Sequence, residues 1–408
     1  MPDMVDQPDD DVRPPQITAA ALFARFLKFG FLAFGGPVAQ IAMIRRDLIE
    51  REGWMSSAHF NRLLAVTQVL PGPEAHELCV HLGIRARGRL GGLLAGLGFM
   101  LPGLVLMMGL AWVYVTVGMA SPAIVAAFMG VQVAVVAVIV RAVHRIGGHV
   151  LNDPLLWALA FGAGAATLVG VSFWLVLAAS GLVYALACRG RKVMAVIAAA
   201  LAAGAAAVAL ILEIETGTGW PGDLYAGQPE AVGIGALFIA GLKAGLLTFG
   251  GAYTAIPYVR ADTVGRGWLT DAQFLDGVAL AGVLPAPLVI FCTFVGYVAG
   301  GPWGALAITA GVFLPAFAFS MIFYERLEQV MDMTGLQTLL AGIAAGVVGI
   351  IAATTLQLGY ATADRVPTAW PALAIFAAAL TIAYLWRSGL SAVVIVGLAA
   401  FVGWAAFG

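Results

Sequence analysis

Glu74, His76, Glu77 and His81 follow directly on Pro71-Gly72-Pro73 inside the apolar stretch QVLPGPEAHELCVHLG. Glu74 and Glu77 lie one helical turn apart, and so do Glu77 and His81. Carboxylates and imidazoles at that spacing can pass protons when their surroundings tune them. Ionisable residues inside an apolar segment are expensive and are functional by default. The plainer alternative is an interfacial turn whose side chains simply reach water. His76 and His81 lack the i, i+4 spacing of a zinc helix, so the sequence predicts no metal site.

A second chemistry is anion binding. Lys28 precedes Phe34-Gly35-Gly36-Pro37, and Lys243 precedes Phe249-Gly250-Gly251 with the same spacing. Adjacent glycines and a proline inside an apolar run invite a helix break. A broken helix frees backbone N–H groups at a positive dipole end, which suits an anion. Such backbone survives at membrane depth only in a cavity or against protein. The alternative is a glycine packing notch with a lysine reaching the surface. Pro71-Gly72-Pro73 and Pro285-Ala286-Pro287 also cannot continue a regular helix, and the sequence predicts discontinuous helices there. Arg45-Arg46-Asp47 and Arg260-Ala261-Asp262 read either as interfacial anchors or as an electropositive vestibule for anions.

These residues recur because the chain is duplicated. Residues 26–54 match 241–268, Leu70 to Pro73 matches Leu284 to Pro287, and Leu101-Pro102 matches Leu314-Pro315. The elements that must position them are membrane helices. The 408 residues are 62% hydrophobic and 11% charged, where a soluble domain carries about 25% charged residues. Apolar runs long enough to cross a bilayer recur from end to end. The fold class expected is an all-α polytopic membrane protein. It has about thirteen transmembrane segments, arranged as two inverted homologous repeats with broken helices. The first copy's segments fall near 22–44, 60–84, 90–117, 121–143, 154–169 and 171–188. The Ala-rich segment near 193–212 has no partner, and it turns the second copy over.

The predicted organisation is a disordered acidic tail over 1–21, a first repeat over 22–190, a linker with the unpaired helix over 191–232, and a second repeat over 233–408. Cations near Arg85–Arg89, Arg141–Arg145 and Arg189–Lys192 are read as loop residues on the cytoplasmic side. The acidic segment 213–231 is read as external. That puts the N-terminus in the cytoplasm and the C-terminus in the periplasm. Arg45, Arg46, Arg51 and Arg62 disagree with this orientation. Glu325-Arg326 and Glu328 read as a loop-side charge cluster.

Net charge is −1, so nothing points to nucleic acid. Cys79, Cys188 and Cys292 match no metal or haem spacing. No P-loop is present, so ATP does not drive the protein directly, and no cofactor is implied. Uniformly apolar helix faces would accept lipid or, in a homodimer, a second copy.

The strings FGGPVAQIAMIRRDLIEREGW, QVLPGPEAHELCVHLG and GGLLAGLGFMLPG resemble the chromate ion transporter family in its long, two-domain form. The resemblance spans about 22–407. It implies efflux of chromate from the bacterial cytoplasm across the inner membrane, driven by the proton gradient or the membrane potential. The family's motifs fall on Phe34, Gly35, Gly36, Pro37, Pro71, Gly72 and Pro73. The second half departs at Ala252, where the first has Pro37, and at Ala286, where the first has Gly72. On this reading Lys28, Lys243, Arg45, the glycines at 35, 36, 250 and 251, and the prolines at 71, 73, 285 and 287 serve the oxyanion. Glu74, His76, Glu77 and His81 couple protons. Sulfate or another oxyanion fits the same features, and a membrane-embedded chromate reductase is the enzyme alternative.

Overall fold

The computed structural model describes residues 14–67, 71–117, 121–216, 232–248, 252–322, 334–386 and 390–408. All regular structure among them is helical. Among the described residues, four helices are long and apolar enough to cross a membrane: Glu74–Thr116, Pro122–Val150, Leu288–Ile322 and Gly335–Arg365. Six shorter apolar helices accompany them.

The first half begins with α1 (Ala19–Leu32) and α2 (Gly36–Ile44), where the sequence suggested one segment over 22–44. α1 has 14 residues, about 21 Å of helix, which is short of the ~30 Å hydrocarbon core. It starts inside the expected tail because the Thr18 hydroxyl accepts from the Ala21 amide at 3.3 Å and caps it. After α2 the chain continues as a π-helical stretch over Arg45–Arg51. Then come α3 (Ser57–Thr67) and α4 (Glu74–Val117). The segment expected to span 60–84 is therefore two short pieces, divided at Pro71–Pro73.

α4 is itself folded. Arg87 (φ −151°, ψ 30°) and Gly88 (φ 61°, ψ −162°) turn it back on itself. Only glycine adopts the Gly88 conformation cheaply. The two arms touch through Gly83 and Gly91, where either glycine's Cβ would strike the other's carbonyl. Arg85, Arg87 and Arg89 cluster at this turn, as the charge pattern suggested.

Next come α5 (Pro122–Val150), α6 (Pro154–Leu168), α7 (Phe173–Cys188) and α8 (Lys192–Thr216). Arg141 and Arg145 were expected in a loop, but they lie within α5. Helix propensity carries through these residues, and Asn152-Asp153-Pro154 supplies the stop instead. The Asp153 carboxylate accepts from the Leu155 and Leu156 amides at 2.8 and 3.0 Å and starts α6.

The second half repeats the plan. It contains α9 (Ile234–Leu246), α10 (Ala255–Thr263), α11 (Asp271–Val283) and α12 (Phe291–Ile322). α13 (Thr334–Arg365), α14 (Ala369–Leu385) and α15 (Ser391–Phe407) follow. α12 folds at Gly300 (φ −139°, ψ 19°) and Gly301 (φ 65°, ψ −161°), nearly the dihedrals of Arg87 and Gly88. Its arms meet at Gly296 and Gly304, where a Cβ on Gly296 would lie 2.5 Å from the Gly304 carbonyl oxygen. α1 packs on α4 with Gly30 against Pro102 Cγ, 2.8 Å from a Gly30 Cβ. α9 packs on α12 with Gly245 against Pro315 Cγ, at 3.0 Å.

The remaining helices trade places between halves. α5 packs against α14 and α15, whereas α13 packs against α6 and α7. Small residues allow these crossings. A Cβ on Gly130 would come 2.8 Å from the Gly403 Cα, and one on Gly342 would come 2.9 Å from the Gly181 Cα. Each half thus supplies the hairpin that covers the other's long helix.

Candidate functional site

Helix breaks of one half meet helix breaks of the other. The Gly72 amide, between Pro71 and Pro73, donates to the Thr248 carbonyl at 2.8 Å. Thr248 follows the end of α9, directly before 249–251. The Gln40 side-chain amide, on α2, donates to the Ala33 carbonyl at 2.8 Å and to the Ala286 carbonyl at 3.0 Å. Ala286 lies between Pro285 and Pro287. Gln40 is 1% exposed, so both bonds form away from water. They satisfy carbonyls that the broken helices leave without partners.

The tight packing is reciprocal. A Cβ on Gly72 would lie 3.1 Å from the Ala316 methyl, and a Cβ on Gly103 would strike the Ala286 methyl. Gly103 and Ala316 each follow the proline of a Leu-Pro pair. Glycine faces alanine in both contacts, with the roles exchanged. The departure at Ala286 is therefore matched by glycine at 103.

α2 opens toward this region with Gly35 (φ 90°) and Gly36 (φ 76°) in left-handed backbone and Pro37 in its first turn. No side chain among the described residues caps it. Its first N–H groups are free of intrahelical partners and can receive an anion. Gly250 and Gly251, the matching pair in the second half, lie outside the described residues. Glu325, Arg326 and Glu328 lie outside them too.

The four residues of the expected proton cluster separate. Glu74 and Glu77 lie in the first turn of α4, whose dipole favours negative charge there. Glu74 is near Arg145 of α5. Glu77 is fully buried beneath Gly72, and its carboxylate oxygens have no hydrogen-bond partner among the described residues. His76 turns the other way, edge-on to Phe313 and Phe317 with ring centroids 4.9 and 4.7 Å apart. His81 faces His59 and Arg85. Helical rotation puts His76 on the face opposite Glu74 and Glu77, because residues two apart do not share a face. His81, one turn beyond Glu77, stays on their side and meets His59 and Arg85.

The cations also divide. Lys28 is exposed on α1. Lys243 is half-buried, and Asp262 holds it at 3.3 Å beside Arg266 at 3.4 Å. The corresponding Asp47 pairs instead with Arg46 and Arg51, at 3.2 and 3.1 Å. Arg45 is held by Glu50 and Asn61 at 3.2 and 3.3 Å and lies over the Phe60 ring, which is anchoring geometry. Its counterpart Arg260 grips Asp271 with two nitrogens, at 2.6 and 3.0 Å, and also reaches Gln357.

Sequence reasoning missed Gln40, Thr248, Tyr253, Arg141 and Arg145 as members of this region. Arg141 and Arg145 bear electrostatically on Tyr253, which follows the 249–251 segment. Two arginines one turn apart within an apolar run were the available signal.

The chromate transporter family model matches residues 20–205 and 235–404, one match in each half. A chromate transport protein of Pseudomonas aeruginosa is 57% identical over 394 residues, covering 97% of this chain and 94% of that protein. A chromate transport protein of Cupriavidus metallidurans is 31% identical over 403 residues, covering 96% and 94%. A probable chromate transport protein of Synechococcus elongatus is 29% identical, covering 87% and 88%. No solved structure matches the chain. With both halves matched and relatives aligned over nearly their whole length, the chain belongs to the chromate transporter family.

Proposed function

We propose that this protein is a secondary transporter that exports chromate from the bacterial cytoplasm across the inner membrane by alternating access. The observation that carries the reading is the meeting of Pro71-Gly72-Pro73 with Thr248, and of α2 with Pro285-Ala286-Pro287. Discontinuous helices from two repeats converging on one place are how transporters build a midplane site. Free amides at the α2 N-terminus would bind the tetrahedral oxyanion. Lys28, Arg141 and Arg145 would supply attraction on the approach. The family membership and the chromate transport proteins among the relatives support chromate as the cargo.

The two halves are inverted in this reading, about an axis in the membrane plane. The first repeat runs over 22–190, the unpaired α8 lies within 191–232, and the second repeat runs over 233–408. The N-terminus is cytoplasmic and the C-terminus periplasmic, with about thirteen segments in or across the bilayer. Glu74 and Glu77 are the proton-coupling candidates, since they share the first turn of α4 beside the Gly72 break. An inside-negative membrane potential also favours exit of a dianion by about 2.3 kcal/mol per charge per 100 mV.

The test is chromate uptake into inverted membrane vesicles under an imposed potential or pH gradient, with sulfate as competitor. Accumulation that follows the gradient and resists sulfate supports the reading. Equal competition by sulfate would make this a general oxyanion transporter. Loss of chromate colour with purified protein and an electron donor would favour a reductase.

A further inference from the structure

Asp276 is fully buried on α11 in the second half. Its two carboxylate oxygens accept from Tyr114 Oη and Gln132 Nε2, each at 2.9 Å. Tyr114 is on α4 and Gln132 on α5, so both bonds cross from the second half to the first. The Tyr114 ring is itself fixed edge-on against Phe294 at 4.9 Å, and Phe294 packs on Gly277 beside Asp276. At the matching position the first half carries Arg62, which is exposed.

Among the described residues no cation lies within ion-pair distance of this carboxylate. The charged groups around it are few. α13 brings Asp364 and Arg365, and Arg365 acts on Asp276 only at longer range. α12 and α15 contain no Asp, Glu, Lys, Arg or His. The nearest charged residue on α5, Arg141, is nine residues from Gln132, about 13 Å along the helix. On α4, Arg89 is further still from Tyr114. A bound metal ion would need a cage of oxygens, and here both neighbours present O–H or N–H to the carboxylate. A proton is the one ligand this arrangement suits.

We propose that Asp276 is a proton-binding site of the transport cycle, gripping Tyr114 and Gln132 when ionised and loosening them when it takes up a proton. The proposal rests on the transport reading above. Ionised, the carboxylate makes two charge-assisted bonds across the repeat boundary. A proton on either oxygen takes one acceptor position from that pair, which eases α11 away from α4 and α5. α11 leads directly into Pro285-Ala286-Pro287, so its movement reaches the paired breaks. This site is distinct from Glu74 and Glu77, which lie in the other arm of the folded α4.

The test uses the full chain in liposomes with a trapped pH dye, reading proton and chromate flux together. Asp276→Asn keeps shape and hydrogen-bonding capacity but cannot ionise. It should retain chromate-for-chromate counterflow while proton flux per chromate falls at least tenfold. Tyr114→Phe keeps the ring stacking and removes one donor, so the pH midpoint of flux should move upward, because the ionised form loses a bond. Wild-type coupling and pH profile in Asp276→Asn, or an unmoved midpoint in Tyr114→Phe, overturns the proposal; the second readout decides if Asp276→Asn does not insert. Wild-type chromate flux without proton flux overturns the proton site and leaves transport standing. Absence of chromate flux in the wild type removes both.

Discussion

Gly72 and Thr248 are 176 positions apart in the chain and are joined by a 2.8 Å bond from the Gly72 amide to the Thr248 carbonyl. The bond ties a broken helix of the first half to the end of α9 in the second. Gly72 has φ 149°, and a Cβ there would press on Ala316 at 3.1 Å and on the Glu77 Cδ at 3.2 Å. Gly72→Ala should cut chromate flux at least ~10-fold, since backbone strain of this kind costs about 1–3 kcal/mol. Ala286→Gly, at the matching position, removes only a methyl and should keep flux within ~3-fold of wild type. Vesicle flux normalised to inserted protein checks both, and equal losses would discount the paired-break geometry.

Gln40 supplies two hydrogen bonds to buried carbonyls of different halves. Gln40→Leu should lower stability by about 2–4 kcal/mol, because each orphaned buried acceptor costs about 1–3 kcal/mol. Gln40→Glu should do at least as badly, since an ionised carboxylate cannot donate. Thermal unfolding in detergent measures this. A wild-type midpoint in Gln40→Leu would mean that the α2–Ala286 contact is incidental.

The breaks themselves were legible, because Gly-Gly-Pro and Pro-x-Pro leave a helix little choice. Their pairing was not. Nothing local to Gly72 names Thr248, and nothing local to Gln40 names Ala286, since such contacts depend on how two halves pack. The hairpin turn at Gly88 falls between the expected segments 60–84 and 90–117, where Arg85, Arg87 and Arg89 marked a loop. The close approach of the arms at glycines 83, 91, 296 and 304 was not read from the sequence, because it depends on how the arms pack. Helical spacing made Glu74, Glu77 and His81 legible as one face of a helix, but His76 lies on the opposite face, against Phe313 and Phe317. Asp276 was passed over because its first-half counterpart is an ordinary exposed arginine.

Gly88 and Gly301 hold the same left-handed backbone in the two folded helices. Gly88→Ala and Gly301→Ala should each destabilise by about 1–3 kcal/mol. The two effects should be similar, because neither glycine has a neighbouring atom within 4 Å of a built Cβ and the cost is purely conformational. Monodisperse yield after extraction and the unfolding midpoint give the comparison. A large inequality would mean that the two turns are not equivalent.

Lys28 and Lys243 occupy matching positions but differ in company. Asp262 holds Lys243, with Arg266 on the same carboxylate, whereas Lys28 is exposed on α1 with Asp47 committed to Arg46 and Arg51. Lys243→Gln should therefore act mainly on stability, by up to about 1 kcal/mol since Arg266 still serves Asp262. The double variant Lys243→Gln/Asp262→Asn should recover part of that loss. Lys28→Gln removes a charge that no carboxylate among the described residues neutralises, so it should abolish chromate flux while leaving insertion and the unfolding midpoint unchanged. Flux and midpoint measured on the same preparations separate the two roles. Full flux in Lys28→Gln would take Lys28 off the anion's path and leave Arg141 and Arg145, which bear on Tyr253, as the candidate cations.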